Sequence, residues 1–173
     1  SAFQMMLNAV VLNPENIEIA TIIGNAAGVN GMIGGQYLDV TDDGLLSNQD
    51  GLYHMFSLKT GALISVAVVS GAIMGGASEY ELNALTKFSQ KLGILFQLVD
   101  DIMDVVSTTD IMGKPVGSDN ENGKETIVTL VGLGEAELLA ADAANSAKDW
   151  LGKIHRDTSF LEGLVDHMQL RRR

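Results

Sequence analysis

The chain has 173 residues, and 22 acidic against 11 basic side chains give it a formal net charge of −11 at pH 7. Such a surface repels nucleic-acid phosphates, so we expect no nucleic-acid partner. Hydrophobic residues make up 46% of the chain and charged residues 19%, which excludes a disordered acidic tail and predicts a folded core. The absence of cysteine excludes a disulfide framework, a thiolate zinc site and a cysteine nucleophile, and it is compatible with a cytoplasmic protein.

Helix start and stop signals divide most of the chain into helices. The first predicted helix, Ala2–Leu12, ends before Asn13, which can cap a new turn, and Pro14 suits the first position of that turn. Ser78 and Glu81 form a capping-box pattern that opens the longest predicted helix, whose apolar residues recur every three or four positions. The predicted helices after the first cover 15–39, 52–74, 79–106, 126–131, 135–153 and a last segment that begins at Ser159. The sequence therefore predicts an all-α protein.

One long segment between the predicted helices has no apolar periodicity. Residues 107–125 contain several glycines and asparagines and a proline, which is typical of a binding loop or a lid. Residues 126–131, which follow, alternate β-branched side chains and could form a strand. Because a single strand would have no pairing partner, we assign this segment to a helix.

A second segment raises the question of a membrane span. Residues 60–78 are 19 consecutive uncharged positions, nearly enough helix to cross a bilayer. Eight of them are Gly, Ser or Thr, and small side chains let two helix backbones approach closely. We interpret the segment as a buried helix in a bundle or at a subunit contact, with a membrane helix as the alternative. No signal-peptide pattern is visible at the amino terminus.

The least ordinary feature of the sequence is a group of three carboxylates late in an apolar helix. Asp100 and Asp104 are four positions apart on one helix face, Asp101 lies one step round, and Gln97 is one turn earlier. Like charges at this spacing oppose one another's ionisation unless a cation neutralises them, and oxygen ligands suit magnesium or calcium better than zinc. The alternative is a solvated acidic helix end.

Lysines in uncharged or glycine-rich surroundings favour an anionic ligand. Lys59 precedes Thr60 and Gly61, while Lys114 and Lys124 each follow a glycine in the long loop. A diphosphate could bridge a magnesium ion on the aspartates to these ammonium groups. Each lysine can also be an ordinary surface residue. A further polar pair, Gln36 and Asp39, lies on another apolar helix.

Taken together, these residues resemble the trans-isoprenyl diphosphate synthases, the polyprenyl synthetases of the farnesyl and geranylgeranyl diphosphate synthase type. Several separated motifs match in order. GQYLD resembles the family's GQxxD motif, KTGALI its KT motif, FQLVDDIMD its second aspartate-rich motif, and GKPVGSDNENGKET the lysine-bearing loop that follows. The resemblance covers nearly the whole chain and implies the antiparallel helical bundle of the isoprenoid synthase type.

The resemblance also implies a reaction and the residues that carry it out. A prenyltransferase of this kind condenses an allylic diphosphate with isopentenyl diphosphate, uses Mg²⁺ and forms a homodimer. Asp100 would be a magnesium ligand, with Asp101 and Asp104 in support. The allylic diphosphate would be held by Lys59, Thr60, Gln97, Lys114 and Lys124, and the catalytic group would be Lys59, Thr60, Gln97 and Asp100.

The sequence departs from the family in one respect. The family's first aspartate-rich motif and the basic site for isopentenyl diphosphate are absent from residues 1–173. We therefore expect the chain to be the carboxy-terminal part of a single polyprenyl synthetase domain, truncated at the amino terminus, missing its amino-terminal half and inactive alone. The alternative is a non-catalytic helical subunit or regulator that pairs with an active prenyl diphosphate synthase.

Overall fold

The computed structural model describes residues 1–41, 44, 46–112 and 125–170, with no description of the side chains of 107–112. Within these ranges the chain is helical and contains no strand, which confirms the all-α prediction. The helices are α1 (Ala2–Leu12), α2 (Ile17–Ala27), α3 (Met32–Val40), α4 (Gln49–Phe56), α5 (Ala62–Met74), α6 (Glu79–Met112), α7 (Ile127–Val131), α8 (Leu133–Leu151) and α9 (Ser159–Leu170). A 3₁₀ turn, Pro14–Asn16, joins α1 to α2, and a π turn, Ser57–Gly61, joins α4 to α5.

The single helix predicted over 15–39 is wrong, because the chain breaks between α2 and α3. Gly28 ends α2 in an extended conformation, with φ −79° and ψ −165°. A Cβ on Gly31 would lie 2.1 Å from the Ala26 carbonyl oxygen, so only glycine permits the chain to fold back so tightly here. The apolar pattern continues through the break, and two separate helices result.

The helix predicted over 52–74 begins earlier and is not uniform. The Asn48 side chain caps α4 by accepting a hydrogen bond from the Gly51 amide at 2.9 Å. Between Phe56 and Ala62 the helix widens into the π turn, which inserts an additional residue into the ladder of hydrogen bonds. The side chains after the turn are therefore rotated relative to those of an uninterrupted α-helix.

The core forms around α6, which packs against α5, α8 and the π turn. The predicted capping box is confirmed, since the Ser78 amide donates to the Glu81 carboxylate at 2.8 Å and the Glu81 amide donates to Ser78 Oγ at 3.3 Å. The face of α6 toward the core is mostly apolar, and α8 meets it with buried alanines, whose small side chains let the two helices approach closely. These buried residues are Leu92, Leu95, Leu98, Val99, Ile102, Ala136, Ala140, Ala143, Ala144 and Ala147.

The apolar segment that raised the membrane question is buried on one face. The stretch Gln49–Met74 is long enough to cross a membrane and contains an 18-residue window with a mean hydropathy of 1.6, but core helices of soluble proteins pass the same test. Small residues of α5 meet α6, as predicted: the hydroxyls of Ser65 and Ser89 lie 2.7 Å apart. The opposite face, which carries Leu63 and Met74, is exposed, so within this chain the predicted burial holds for one face of the helix.

The loop between α8 and α9 is fastened to the start of α6 by Arg156. The guanidinium donates to both carboxylate oxygens of Glu81, at 2.6 and 3.2 Å. It also donates to the carbonyl oxygens of Gly75 and Gly76, each at 3.1 Å, where α5 ends. One side chain thus connects the ends of three helices.

We predict that Glu81 contributes to stability at neutral pH and loses this contribution in acid. Hydrogen bonds from the Ser78 amide, then from its hydroxyl and from Arg156, hold the pKa of Glu81 below its usual 4.5. A carboxyl with a lowered pKa stabilises the fold above its unfolded pKa, and this contribution disappears as the pH falls through the folded pKa. Glu81→Gln should therefore lower Tm by a few degrees at pH 7 and by less at pH 3.

Thermal unfolding between pH 7 and pH 3 measures this difference. Glu79→Gln is the matched control, because Glu79 is an exposed carboxylate in the same first turn of α6. Parallel Tm curves for the wild-type protein and Glu81→Gln over this pH range would contradict the prediction.

Candidate functional site

The π turn is held between two helices that meet it with glycine. A Cβ added to Gly35 of α3 would lie 2.1 Å from the Lys59 amide nitrogen and 2.5 Å from Lys59 Cα. A Cβ added to Gly93 of α6 would lie 2.6 Å from Gly61 Cα. Because neither position has room for a side chain, the backbone of the turn rests directly on α3 and α6. π turns inside α-helices occur frequently at functional sites.

Lys59 projects from this turn onto α3. Its Nζ lies 2.5 Å from Asp39 Oδ2. The Asp39 side chain is only 7% exposed and the Lys59 side chain 27%, so the pair lies mostly out of water. An ion pair in such surroundings holds its ammonium group in one place more firmly than a surface pair would. The Lys59 side chain thus remains partly accessible to an anion.

Thr60, the next residue, projects onto α6. Its Oγ1 donates a hydrogen bond to Gln97 Oε1 at 2.8 Å, and Gln97 is buried, with 8% of its surface exposed. With its carbonyl oxygen accepting from Thr60, the Gln97 amide group offers N–H donors, which suit an anionic ligand. The turn therefore connects two polar side chains that are 37 positions apart in the sequence.

The aspartates lie immediately after Gln97 on α6. Asp100 follows by three positions, about 4.5 Å further along the helix axis. Asp100 and Asp104 are exposed, whereas Asp101 is half-buried and its Oδ2 accepts a hydrogen bond from the Ile127 amide at 2.9 Å. In the ranges that the structure describes, no three His, Cys, Asp or Glu side chains converge as a metal-binding group. The three carboxylates therefore do not form a closed cage by themselves.

The structure brings some of the predicted site residues together. Lys59, Thr60 and Gln97 lie around the π turn, and Asp100 begins one helical turn beyond Gln97. Lys114 and Lys124 lie outside the described residues. Asp39 was absent from the predicted site, although the GQYLD motif that contains it was recognised. The sequence alone did not show that Asp39 contacts Lys59, and this contact is what places Asp39 in the site.

Comparison with known proteins identifies the family of the chain. A family model described as polyprenyl synthetase matches residues 1–162. The chain belongs to the polyprenyl synthetase family. It is 37% identical to the farnesyl diphosphate synthase of Escherichia coli (strain K12) over 162 residues, which are 91% of this chain and 54% of that relative. It is 33% identical to the heterodimeric geranylgeranyl pyrophosphate synthase large subunit 2 of Arabidopsis thaliana, over 87% of this chain and 41% of that relative.

A solved structure of another polyprenyl synthetase relative has the same fold. The crystal structure of geranyltransferase from Helicobacter pylori, complexed with magnesium and isoprenyl diphosphate, superposes with a TM-score of 0.74 at 27% identity. The match covers 96% of this chain and 55% of that one. The chain thus spans about half the length of the relatives that it matches. The predicted family and its helical fold are confirmed.

We predict that Gly93 cannot be replaced even by alanine without loss of stability. The new Cβ would overlap Gly61 Cα, so α6 and the π turn would have to separate, at a cost of about 2 kcal/mol. Gly163→Ala in α9 is the matched control, because its Cβ would meet open space and alanine favours a helix. Urea unfolding should show Gly93→Ala strongly destabilised and Gly163→Ala unchanged or more stable. Equal unfolding midpoints for Gly93→Ala and the wild-type protein would refute the close contact.

We also predict that the Asp39–Lys59 pair contributes more to stability than an exposed ion pair elsewhere in this chain. Asp39→Asn leaves a poorly solvated ammonium group without its counter-charge, at a cost of roughly 2 kcal/mol. Lys148 and Asp166 form the exposed comparison pair, with side chains 37% and 54% exposed. Asp166→Asn should cost less than about 0.5 kcal/mol. Urea unfolding of both variants measures the difference, and equal losses would show that the site pair is an ordinary surface contact.

Proposed function

We propose that residues 1–173 form the carboxy-terminal part of a single polyprenyl synthetase domain, in an enzyme that condenses an allylic diphosphate with isopentenyl diphosphate. The observation that carries the proposal is the π turn, which presents Lys59 and Thr60 beside Gln97, one helical turn before Asp100. The site thus offers an ammonium group, a hydroxyl and an amide, followed by a carboxylate. The first three suit a diphosphate, and the carboxylate suits the metal ion bound to it. The names of the relatives point to the same class of reaction.

The cationic and polar groups are proposed to bind the allylic diphosphate. Lys59 supplies an ammonium group held in place by Asp39, and Gln97 supplies amide donors. Lys114 and Lys124 are proposed to add two further cations. These groups counter the charge that grows on diphosphate as it leaves the prenyl chain, where preorganised donors have their largest effect on rate. No side chain acts as a nucleophile in this scheme.

The donor set near Gln97 fits magnesium. It consists of carboxylate oxygens only, without the nitrogen or sulfur ligands that zinc prefers. Magnesium keeps several waters and binds through one or two carboxylates together with substrate phosphates, so a set without a closed cage is sufficient. We propose that Asp100 is the ligand, with Asp104 on the same face and Asp101 in support. Bound magnesium would supply further positive charge for the departing diphosphate.

The partners of the chain are also proposals. The first helix, α1, exposes several large apolar side chains, of which Val11 is 81% and Leu12 87% exposed. An apolar surface of this kind indicates a contact with further polypeptide. We propose that it is covered in the whole protein, by the amino-terminal half of the enzyme and by the second copy of a homodimer. We further propose that the protein acts in the cytoplasm, although some relatives are named chloroplastic.

We predict that the protein expressed from its full reading frame transfers prenyl groups only with magnesium and only with an intact site. Asp100→Asn and Lys59→Ala should each lower kcat/KM at least about 100-fold, because each removes charge stabilisation from the leaving diphosphate. Release of product from a radiolabelled allylic diphosphate and isopentenyl diphosphate measures the reaction. Asp149→Asn, an exposed carboxylate of α8, is the control and should leave the rate unchanged.

The same assay separates the enzyme from the alternative. A folded full-length protein that forms no product with Asp100 and Lys59 intact would refute the proposed activity. Activity that appears only after a second, catalytically competent synthase subunit is added, and that survives Asp100→Asn, would identify a non-catalytic helical subunit or regulator. Residues 1–173 alone are expected to give no product.

A further inference from the structure

Asp101 is bonded to a distant part of the chain, unlike the exposed Asp100 beside it. Its Oδ2 accepts a hydrogen bond from the backbone amide of Ile127 at 2.9 Å, across 26 positions of sequence. Ile127 is the first residue of α7, and its side chain is fully buried in the core. The carboxylate of Asp101 therefore joins the late part of α6 to the start of α7.

The start of α7 is fixed by several contacts at once. The Thr129 amide donates to Thr126 Oγ1 at 3.2 Å, and the Thr126 amide donates to Thr129 Oγ1 at 2.9 Å. These bonds satisfy the amides of residues 126 and 129, and Asp101 satisfies the amide of Ile127 between them. The first amides of a helix have no partner within the helix, so the carboxylate of Asp101 satisfies a donor that would otherwise lack one.

This contact constrains the turn of α6 that carries Asp100. Three positions before Asp100, Gln97 is tied to Thr60 of the π turn. One position after it, Asp101 is tied to Ile127. Asp100 thus lies on a turn of α6 that is hydrogen-bonded to other parts of the chain before and after it. Support of this kind keeps a ligand within a fraction of an ångström of its working position.

We propose that Asp101 is a positioning residue, which fastens the start of α7 to α6 beside Asp100 by accepting the Ile127 hydrogen bond and does not act as a metal ligand. The inference rests on the proposed function and refines it, since it assigns different tasks to two neighbouring carboxylates. What the contact with Ile127 requires of Asp101 is a hydrogen-bond acceptor. An amide oxygen can take its place, whereas an amide at position 100 cannot replace a charged magnesium ligand.

Three substitutions in the full-length protein separate the two tasks. Asp101→Asn keeps an acceptor and removes the charge, Asp101→Ala removes both, and Asp100→Asn removes the charge of the proposed ligand. Hydrogen exchange of the amides in α7, measured without magnesium, reports the contact with Ile127. Calorimetric titration with Mg²⁺ in the presence of inorganic pyrophosphate reports metal binding independently of turnover.

We expect Asp101→Ala to speed exchange in α7 at least tenfold, and Asp101→Asn to restore protection to within threefold of the wild-type protein. Affinity for Mg²⁺ with pyrophosphate should change less than threefold in Asp101→Asn and fall at least tenfold in Asp100→Asn. The proposal is overturned if Asp101→Asn loses Mg²⁺ affinity as strongly as Asp100→Asn while α7 stays protected, because Asp101 would then be a ligand.

The proposal is also overturned if neither substitution at position 101 changes exchange in α7. Should Asp101→Ala not fold, Asp101→Leu replaces it in the same comparison, because leucine keeps the volume of the side chain and removes the acceptor. Failure of the proposed function is recognised separately. In that case the full-length protein forms no prenyl product, while the exchange measurement still reports whether Asp101 holds α7.

Discussion

The site depends on a contact between backbones that only glycine allows. Gly35 and Gly93 bring α3 and α6 against the π turn from two directions, so the turn cannot shift toward either helix. Neighbouring residues of a helix project in different directions, and a turn held in this way can serve two partners at once. Lys59 thereby meets Asp39 on α3 while Thr60 meets Gln97 on α6. A larger residue at either glycine would separate groups that are proposed to meet the same ligand.

Much of the fold could be predicted from local signals, because caps and apolar periodicity act over one or two turns. The Ser78–Glu81 capping box and the helical nature of 126–131 are confirmed. The break between α2 and α3 falls at Gly28, Asn30 and Gly31, residue types that often end helices, but single glycines are also tolerated inside helices and did not decide the prediction. The π turn was missed for a related reason: the step from buried Phe56 to the next buried position is five residues, but that position is Gly61, which carries no hydrophobic signal.

The residue types of the candidate site could likewise be predicted from local motifs, whereas the contacts between these residues could not. Motifs of residue types indicated Lys59, Thr60, Gln97 and the aspartates, and the order of these motifs resembled one family. Pairing is a property of the folded chain, so the motifs did not predict that Thr60 bonds to Gln97 or that Lys59 bonds to Asp39. The same limit applies to Asp101, which the spacing grouped with Asp100 as a cation ligand, whereas the structure shows its carboxylate bonded to the Ile127 amide.

The aspartates near the site lie in two kinds of surroundings, and this difference suits a metal that binds together with its substrate. Asp39 and Asp101 are drawn into contacts with Lys59 and with the α7 backbone, while Asp100 is exposed to water. A closed cage of several carboxylates would concentrate negative charge where the substrate is itself a polyanion. In the proposed function, a sparse carboxylate set avoids that repulsion, because magnesium completes its coordination with water and diphosphate oxygens. In that proposal the metal and the diphosphate would stabilise each other's binding, and Lys59, held by Asp39, would meet the diphosphate from the π turn.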